Sequence, residues 1–142
     1  MESMREVCPA ISLLFVEDDK DAVEVICSLL PLKFPDVIIY VARDGSQGEQ
    51  LFKKHVPKIV ITDINMPGMD GIRMARNIKA IKAGTRFIVL SGYSDKIHRD
   101  IFNEIGISDY ILKPIEFNKL CAAIDTCIVE IMQERQCENR NG

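Results

Sequence analysis

The chain has 142 residues, of which 47% are hydrophobic and 27% charged, and its formal net charge is −3. A chain of this length can bury a core of its own, which predicts one domain, and the composition is that of an ordinary soluble globular protein. Acidic and basic residues are mixed along the chain, whereas a dedicated nucleic-acid binder normally carries a basic face. We therefore expect no direct binding of nucleic acid.

Cysteine usage and the apolar runs bear on the cellular compartment. The five cysteines are an odd number and include no CxxC pair, so we expect reduced thiols that mostly fill the core. The first ten residues contain no apolar leader, and no apolar run approaches the length of a transmembrane helix. We expect a cytoplasmic protein that does not enter a membrane.

Short apolar runs along the chain predict five β-strands. Each run is continuous rather than alternating in polarity, which is typical of parallel strands covered on both faces. In chain order the runs are Ile11–Val16, Val37–Ala42, Ile59–Ile61, Phe87–Leu90 and Tyr110–Leu112.

Segments with helical spacing of apolar residues separate these runs and predict helices. In the first, the apolar face extends from Ala22 to Leu30, and we expect Pro31 to end the helix. The second covers about Ser46–His55. The third follows Asp70, and its inner face carries Ile72, Met74, Ala75, Ile78 and Ile81. The fourth covers about Asp95–Ile105 and ends at Gly106, and the fifth starts near Glu116.

The fifth helix has the longest predicted extent. Its inner face carries Leu120, Ile124, Cys127 and Ile131, and a helix that continued to Gln136 would be about 30 Å long. This is longer than a helix that only flanks a small sheet. The last residues are either a frayed tail or a helical extension that contacts another part of a larger assembly, and the sequence leaves both open.

Strands that alternate with helices predict an α/β fold, because parallel strands need crossover connections. We expect a doubly wound five-stranded parallel sheet with helices on both faces. The predicted division of the chain is an N-terminal extension at 1–10, one domain at 11–128, and a C-terminal helix extension and polar tail at 129–142.

Polar side chains follow four of the five apolar runs. Glu17 and Asp18 follow the first, Asp63 the third, Ser91 the fourth and Lys113 the fifth. The carboxyl ends of parallel strands share one edge of a sheet, where ligands bind, so we expect these side chains to lie close together. The second run ends in Arg43-Asp44-Gly45, and we expect it to be an edge strand away from this site.

Carboxylates at one point repel each other unless a cation neutralises them. Few oxygen ligands with room for water suit Mg²⁺, which usually binds through one or two carboxylates together with a phosphate. An aspartate can itself become the nucleophile and form an aspartyl phosphate. The pattern therefore predicts a divalent metal site that receives an anion.

The motifs FVEDD, TDINMPGMDG, VLSGY and DYILKP, in this order and each at a predicted strand end, resemble those of the receiver domains of two-component response regulators. The resemblance covers about Ile11–Ile128. It implies a flavodoxin-like sheet with strand order 2-1-3-4-5 and a phosphorelay signalling function. It also implies a phosphoacceptor domain rather than an enzyme, since such a domain assists only its own phosphorylation and dephosphorylation.

The resemblance also implies roles for residues at the acidic edge. Asp63 matches the phosphoacceptor and also a metal ligand. Asp18 matches the acid that binds Mg²⁺ directly, and Glu17 the acid that reaches the ion through water. Asn65 would coordinate the ion through its backbone carbonyl.

Further positions match the residues that contact the phosphoryl group or respond to it. Lys113 would contact the acyl phosphate, and Ser91 would donate its hydroxyl to it. Tyr110 occupies the aromatic switch position. Pro114 stands where the family has a cis peptide bond.

The resemblance implies partners as well. A sensor histidine kinase or a phosphotransfer protein would donate the phosphoryl group, and an output protein or domain would bind the fourth helix, fifth strand and fifth helix. The output itself stays open: a stand-alone receiver, a fragment of a larger regulator or hybrid kinase, or a phosphorylation-dependent homodimer.

Simpler explanations exist for single residues. Aspartate is a favoured helix N-cap, and we expect Asp19 to cap the first helix. Ser91 and Lys113, each taken alone, are ordinary strand-end residues. His55 and His98 lie among charged residues, and we expect both to be solvated.

Two other classes of function could use an acidic site of this kind. An aspartyl-phosphate hydrolase would need a second acid near the nucleophile to protonate the leaving group, and Asn65, two residues beyond Asp63, cannot serve. A degenerate interaction module would keep the fold without the switch, but the intact acidic cluster, Asp63 and Lys113 argue against it.

Overall fold

The computed structural model of the chain describes residues 10–64, 71–92, 96–107 and 109–141. In that part of the chain strands and helices alternate without exception. They are β1 (Ser12–Val16), α1 (Lys20–Lys33), β2 (Ile38–Ala42), α2 (Gly45–His55), β3 (Ile59–Asp63), α3 (Gly71–Ile81), β4 (Arg86–Ser91), α4 (Lys96–Ile105), β5 (Asp109–Leu112) and α5 (Phe117–Asn141).

The strands form one parallel sheet in the order β2-β1-β3-β4-β5. The predicted fold class and strand order are therefore confirmed. The register aligns Val16 with Thr62, Asp63 with Leu90, and Ser91 with Leu112. Because these pairs lie at the carboxyl ends of their strands, the register itself places the polar residues that follow at one edge of the sheet.

Each face of the sheet has its own apolar core. Leu13, Phe15 and Ile61 point to the face covered by α1 and α5, where they pack with residues such as Leu30 and Ile124. The alternate residues point to the face covered by α2, α3 and α4; they include Leu14, Val16 and Val60, which pack with Phe52, Met74 and Phe102. Burial on both faces explains why the central strands are continuously apolar in sequence.

Two details of the predicted helices are wrong. Pro31 lies inside α1, which continues to Lys33. A proline this close to the C-terminus removes only one helical hydrogen bond, and the N–H of Phe34 still reaches the carbonyl of Leu30 at 2.8 Å. Ile81, predicted on the inner face of α3, is 47% exposed, because it is the last residue of that helix.

The last helix is longer than predicted. α5 has 25 residues and reaches Asn141, and its predicted inner residues Leu120, Ile124, Cys127 and Ile131 are buried. The helix runs without a break through residue 128, and the domain boundary placed there stays a prediction. No helix in the described ranges combines the length and the apolar character that crossing a membrane requires.

An ion-pair cluster fixes the later part of α5 against the sheet. Arg86, the first residue of β4, contacts Glu130 at 3.2 Å and also pairs with Glu134. Its side chain is only 21% exposed. Sequence patterns gave no indication of these pairs, because β4 and α5 are far apart along the chain.

Candidate metal site at the carboxyl edge of the sheet

Three carboxylates converge where β1 and β3 end. Each of Glu17, Asp18 and Asp63 offers an oxygen atom, and these atoms all lie within 4.8 Å of one another. Glu17 is fully buried and Asp63 is 6% exposed, whereas Asp18 is exposed. The sheet explains the position of Glu17, since its N–H donates to the carbonyl of Ala42 on the neighbouring strand at 3.0 Å.

Lys113, which directly follows β5, contacts two of these carboxylates. The Nζ of Lys113 lies 2.9 Å from Oδ2 of Asp63 and 3.1 Å from Oε1 of Glu17. Its backbone N–H donates to the carbonyl of Ser91 at 2.7 Å, which anchors the residue at the end of β4. The peptide bond between Lys113 and Pro114 is cis, as the family resemblance implied.

The charges at this edge are not balanced by the side chains alone. Burial, and then the charge of Asp63, raise the pKa of Glu17 to about 7, although its hydrogen bond with Lys113 acts in the opposite direction. Burial by itself would lower the pKa of Lys113, but hydrogen bonds to Asp63 and Glu17 raise it above its usual value. One ammonium group therefore faces three acidic residues.

This set of residues fits a small divalent cation. Carboxylate oxygens are the ligands that Mg²⁺ prefers, and one or two of them suffice when phosphate completes the coordination. A cation among the three carboxylates would offset the repulsion from Asp63, which is the second cause of the raised pKa of Glu17 after burial. The acidic triad matches the metal site that the resemblance to receiver domains implies.

The predicted phosphate-contacting and switch residues lie near this edge. Ser91 ends β4 and is 2% exposed. Tyr110 lies in β5 and is half-buried, with its ring edge-on to that of Phe102 at a centroid distance of 5.7 Å. The parallel pairing of β4 with β5 places Ser91 opposite Leu112, one residue before Lys113, and Tyr110 opposite Val89. Their roles stay predictions.

The segment after Asp63 carries a further predicted metal ligand. Asn65, predicted to coordinate the metal ion through its carbonyl, lies outside the described residues. The chain is described again from Gly71, whose N–H donates to the carbonyl of Ile64 at 3.0 Å. A side chain at position 71 would overlap the carbonyl oxygen of Asp63. Glycine is therefore required at position 71, where the first residue of α3 approaches the backbone of the candidate phosphoacceptor.

The competing capping explanation applies to Asp19 rather than to Asp18. Asp19 is the N-cap of α1, and its carboxylate accepts from the N–H of Asp21 at 3.0 Å. This confirms the expected cap. Asp18, one residue earlier, is the residue whose carboxylate joins Glu17 and Asp63.

Two expectations about the surroundings need correction. β2 is an edge strand as predicted, but its end is not remote from the site, because Nη2 of Arg43 donates to the carbonyl of Asp18 at 3.3 Å. The signal that could have found this contact is the parallel pairing of β1 with β2. His55 is half-buried and stacks on Tyr40 with ring centroids 4.0 Å apart, which differs from the solvated position expected for it. The side chain of His98 is outside the described residues.

A comparison with protein families and curated proteins gives a consistent result. The family model of the response regulator receiver domain matches residues 13–125. The uncharacterized transcriptional regulatory protein YesN of Bacillus subtilis is 30% identical over 97 residues, which cover 68% of this chain and 26% of YesN. The probable C4-dicarboxylate response regulator DctR of the same organism is 31% identical over 113 residues, which cover 80% of this chain and 50% of DctR.

Solved structures agree with these matches. The N-terminal domain of an uncharacterized protein from Wolinella succinogenes superposes with a TM-score of 0.81 at 34% identity, covering 88% of this chain and 99% of that one. The chain thus matches a solved domain over nearly its whole length. It spans only about a quarter to a half of the two curated relatives.

Proposed function

Because this chain belongs to the response regulator receiver domain family, we propose that it accepts a phosphoryl group on Asp63 from a histidine kinase or a phosphotransfer protein. A receiver domain of a two-component system is a signalling phosphoacceptor and not a classical enzyme. The observation that supports Asp63 most strongly is its position. It ends β3, lies 6% exposed, and combines an ion pair to Lys113 with two neighbouring acidic residues.

The cation site is the second part of the proposal. Glu17, Asp18 and Asp63 would hold Mg²⁺, together with the backbone carbonyl of Asn65. The bound ion supplies positive charge that neutralises the phosphoryl oxygens during transfer. The grouping of three carboxylate oxygens within 4.8 Å of one another supports this assignment, because a cation would remove their mutual repulsion.

In the transfer step an oxygen of the Asp63 carboxylate attacks the phosphorus atom of the donor. A new P–O bond forms as the bond to the phosphohistidine nitrogen breaks, and the electron pair of that bond stays on the nitrogen. Lys113 would stabilise the negative charge on the phosphoryl oxygens, since such charge pairing is the main contribution of protein groups to phosphoryl transfer. Ser91 would donate its hydroxyl to another of these oxygens.

The response to phosphorylation would begin with Ser91 and Tyr110. Movement of the Ser91 hydroxyl toward the phosphate leaves space behind it, and Tyr110 would turn into that space. This is a local charge change that biases an element with two positions. The surface affected is made of α4, β5 and α5, and an output protein or domain would bind there.

We also propose where the protein is located and where its output lies. YesN and DctR are longer than this chain, and they are named as a transcriptional regulatory protein and a response regulator. We infer a cytoplasmic location and an output that lies in another domain, in another protein or in a phosphorylation-dependent homodimer. Direct nucleic-acid binding and membrane contact by this chain are not part of the proposal.

Mass spectrometry of the intact chain tests the proposal. Incubation with a small phosphodonor such as acetyl phosphate should add one phosphoryl group in the presence of Mg²⁺ and none after chelation. Asp63→Asn should abolish the addition, whereas Asp36→Asn, at an exposed aspartate in the turn before β2, should leave it unchanged. Equal labelling of Asp63→Asn and the unmodified chain would refute the assignment.

A further inference from the structure

Arg43 makes a contact with the acidic site that the proposed function does not use. It follows the last residue of β2, and its guanidinium donates to the backbone carbonyl of Asp18 at 3.3 Å. The two residues are 25 positions apart in the chain. The contact therefore joins two different strand ends at the edge of the sheet.

The backbone that carries Arg43 is well fixed. On one side, the N–H of Glu17 donates to the carbonyl of Ala42 at 3.0 Å, which ties the end of β1 to the end of β2. On the other, the N–H of Arg43 itself donates to Oε1 of Gln47 at 2.7 Å. Gln47 is held in turn by Asp44, the N-cap of α2, whose Oδ1 accepts from its N–H at 2.7 Å. The backbone of Arg43 is thus held by hydrogen bonds at the capped N-terminus of α2.

Asp18 is the member of the acidic group with the least support from packing. Glu17 and Asp63 are buried in the sheet edge, whereas Asp18 is exposed. The bond from Arg43 acts on the backbone of Asp18 and leaves its carboxylate available. Groups that orient metal ligands without touching the metal commonly affect affinity.

We propose that Arg43 is a positioning residue that holds the backbone of Asp18, so that its carboxylate stays grouped with those of Glu17 and Asp63 and binds the cation more tightly. This inference rests on the proposed function, because it concerns the cation that these carboxylates would hold.

The positive charge of Arg43 should weaken cation binding, whereas its hydrogen bond to Asp18 should strengthen it. A guanidinium repels a nearby cation, so loss of its charge alone would strengthen cation binding, and that effect would weaken as salt screens it. Loss of the hydrogen bond would weaken cation binding at every salt concentration. The sign of the change therefore distinguishes positioning from simple repulsion.

Calorimetric titration of Mg²⁺ into the full chain provides the test. We expect Arg43→Met to bind Mg²⁺ about three-fold more weakly, the size of effect expected for one exposed hydrogen bond. Arg43→Lys, which keeps a donor and the charge, should retain most of the affinity. The unfolding midpoint without Mg²⁺ should be the same in all three proteins, which separates positioning of a ligand from general stabilisation.

Arg76→Met is the matched control. Arg76 is an exposed arginine on α3, and it makes no hydrogen bond or ion pair to the residues that the structure describes. This variant loses the same charge and should bind Mg²⁺ as the unmodified chain does.

The outcomes are distinguishable. Unchanged or tighter Mg²⁺ binding by Arg43→Met, or an equal loss in Arg76→Met, would overturn the positioning role while the proposed function stands. Absence of Mg²⁺ binding by the unmodified chain would contradict the metal site itself, and the inference with it.

Discussion

The Nζ of Lys113 lies 2.9 Å from Oδ2 of Asp63, although the two residues are 50 positions apart in the chain. The same ammonium group also contacts Glu17 at 3.1 Å. One cation thus joins the carboxylate at the end of β3 to the buried carboxylate after β1. This arrangement keeps Asp63 from being an isolated charge at the end of a buried strand, a situation that would be costly.

Replacement of Lys113 should slow phosphorylation without weakening Mg²⁺ binding. We expect Lys113→Met to lower the rate of labelling by acetyl phosphate on the order of 100-fold, the usual effect of removing one group that stabilises developing charge. Mg²⁺ should bind at least as tightly as before, because a competing positive charge is gone. Labelling time courses and calorimetry measure the two effects.

The control for this variant is Lys119→Met, at an exposed lysine on α5 that pairs only with Glu116 among the described residues. It should label at the normal rate. A Lys113→Met protein that labels as fast as this control would show that Lys113 has no role in phosphoryl transfer.

The glycine beneath Asp63 should be intolerant of a side chain. A Cβ at position 71 would overlap the backbone oxygen of Asp63 and lie 3.1 Å from Cα of Ile64. Since backbone atoms can relieve this overlap only by moving, we expect Gly71→Ala to lower the free energy of unfolding by about 2 kcal/mol and to slow labelling of Asp63. Urea denaturation and labelling assays measure both.

Gly84→Ala offers a matched comparison, because a Cβ there would meet no atom within 4 Å. Its stability should stay close to that of the unmodified chain. Equal stability of the two alanine variants would contradict the close approach of Gly71 to Asp63.

The thiol of Cys127 should be inert in the folded protein. Burial, and then the charge of Asp109, raise its pKa to about 12, and its Sγ lies 3.8 Å from Oδ2 of Asp109. Cys137, on the same helix, is exposed. Because the thiolate is the reactive form, we expect iodoacetamide to modify Cys137 in the native state and Cys127 only after unfolding.

The sign of the pH effect follows from the same shift. The pKa of Cys127 is raised from 9.0 in the unfolded chain to about 12 in the folded one, so the unfolded state loses its proton first as the pH rises. The contribution of the Cys127 thiol to the free energy of unfolding is complete below about pH 9 and falls above it. Peptide mapping that finds Cys127 alkylated as fast as Cys137 in the folded protein would contradict this account.

The ion pairs at Arg86 should control the last turns of α5. Ile131 is the last buried apolar residue of that helix within the described side chains, and Arg86 contacts Glu130 and Glu134 on either side of it. We expect Arg86→Met to speed hydrogen exchange of residues 132–141 and to leave β3 protected. High salt should produce part of the same effect, since both glutamates are exposed and screened.

Lys119→Met, which removes an exposed pair on the first turn of the same helix, should leave exchange at residues 132–141 unchanged. Unaltered exchange in Arg86→Met would mean that the end of α5 does not depend on these ion pairs.

Much of the fold was predictable from local sequence, because continuous apolar runs and helical spacing reflect burial directly. The convergence of the strand ends followed from parallel topology, and the structure brings Glu17, Asp18, Asp63 and Lys113 together as that topology requires. The end of α1 was mispredicted because the penalty for a proline depends on its distance from the helix terminus, as at Pro31.

Contacts between distant elements were not predictable from the local sequence around each residue. The bond from Arg43 to Asp18 and the pairs of Arg86 with α5 depend on which strand lies beside which element. Nothing in the local pattern around either arginine distinguishes it from a solvated surface residue. Such contacts can be anticipated only once the sheet order shows which elements are neighbours.

The most direct measurement is the position of the phosphoryl group. Acyl phosphates are reduced by borohydride, so treatment of the phosphorylated chain should convert the modified aspartate to homoserine, which peptide sequencing by mass spectrometry can locate. The account predicts homoserine at position 63 only, and only after phosphorylation in the presence of Mg²⁺. Homoserine at another aspartate, with Asp63 unmodified, would contradict it.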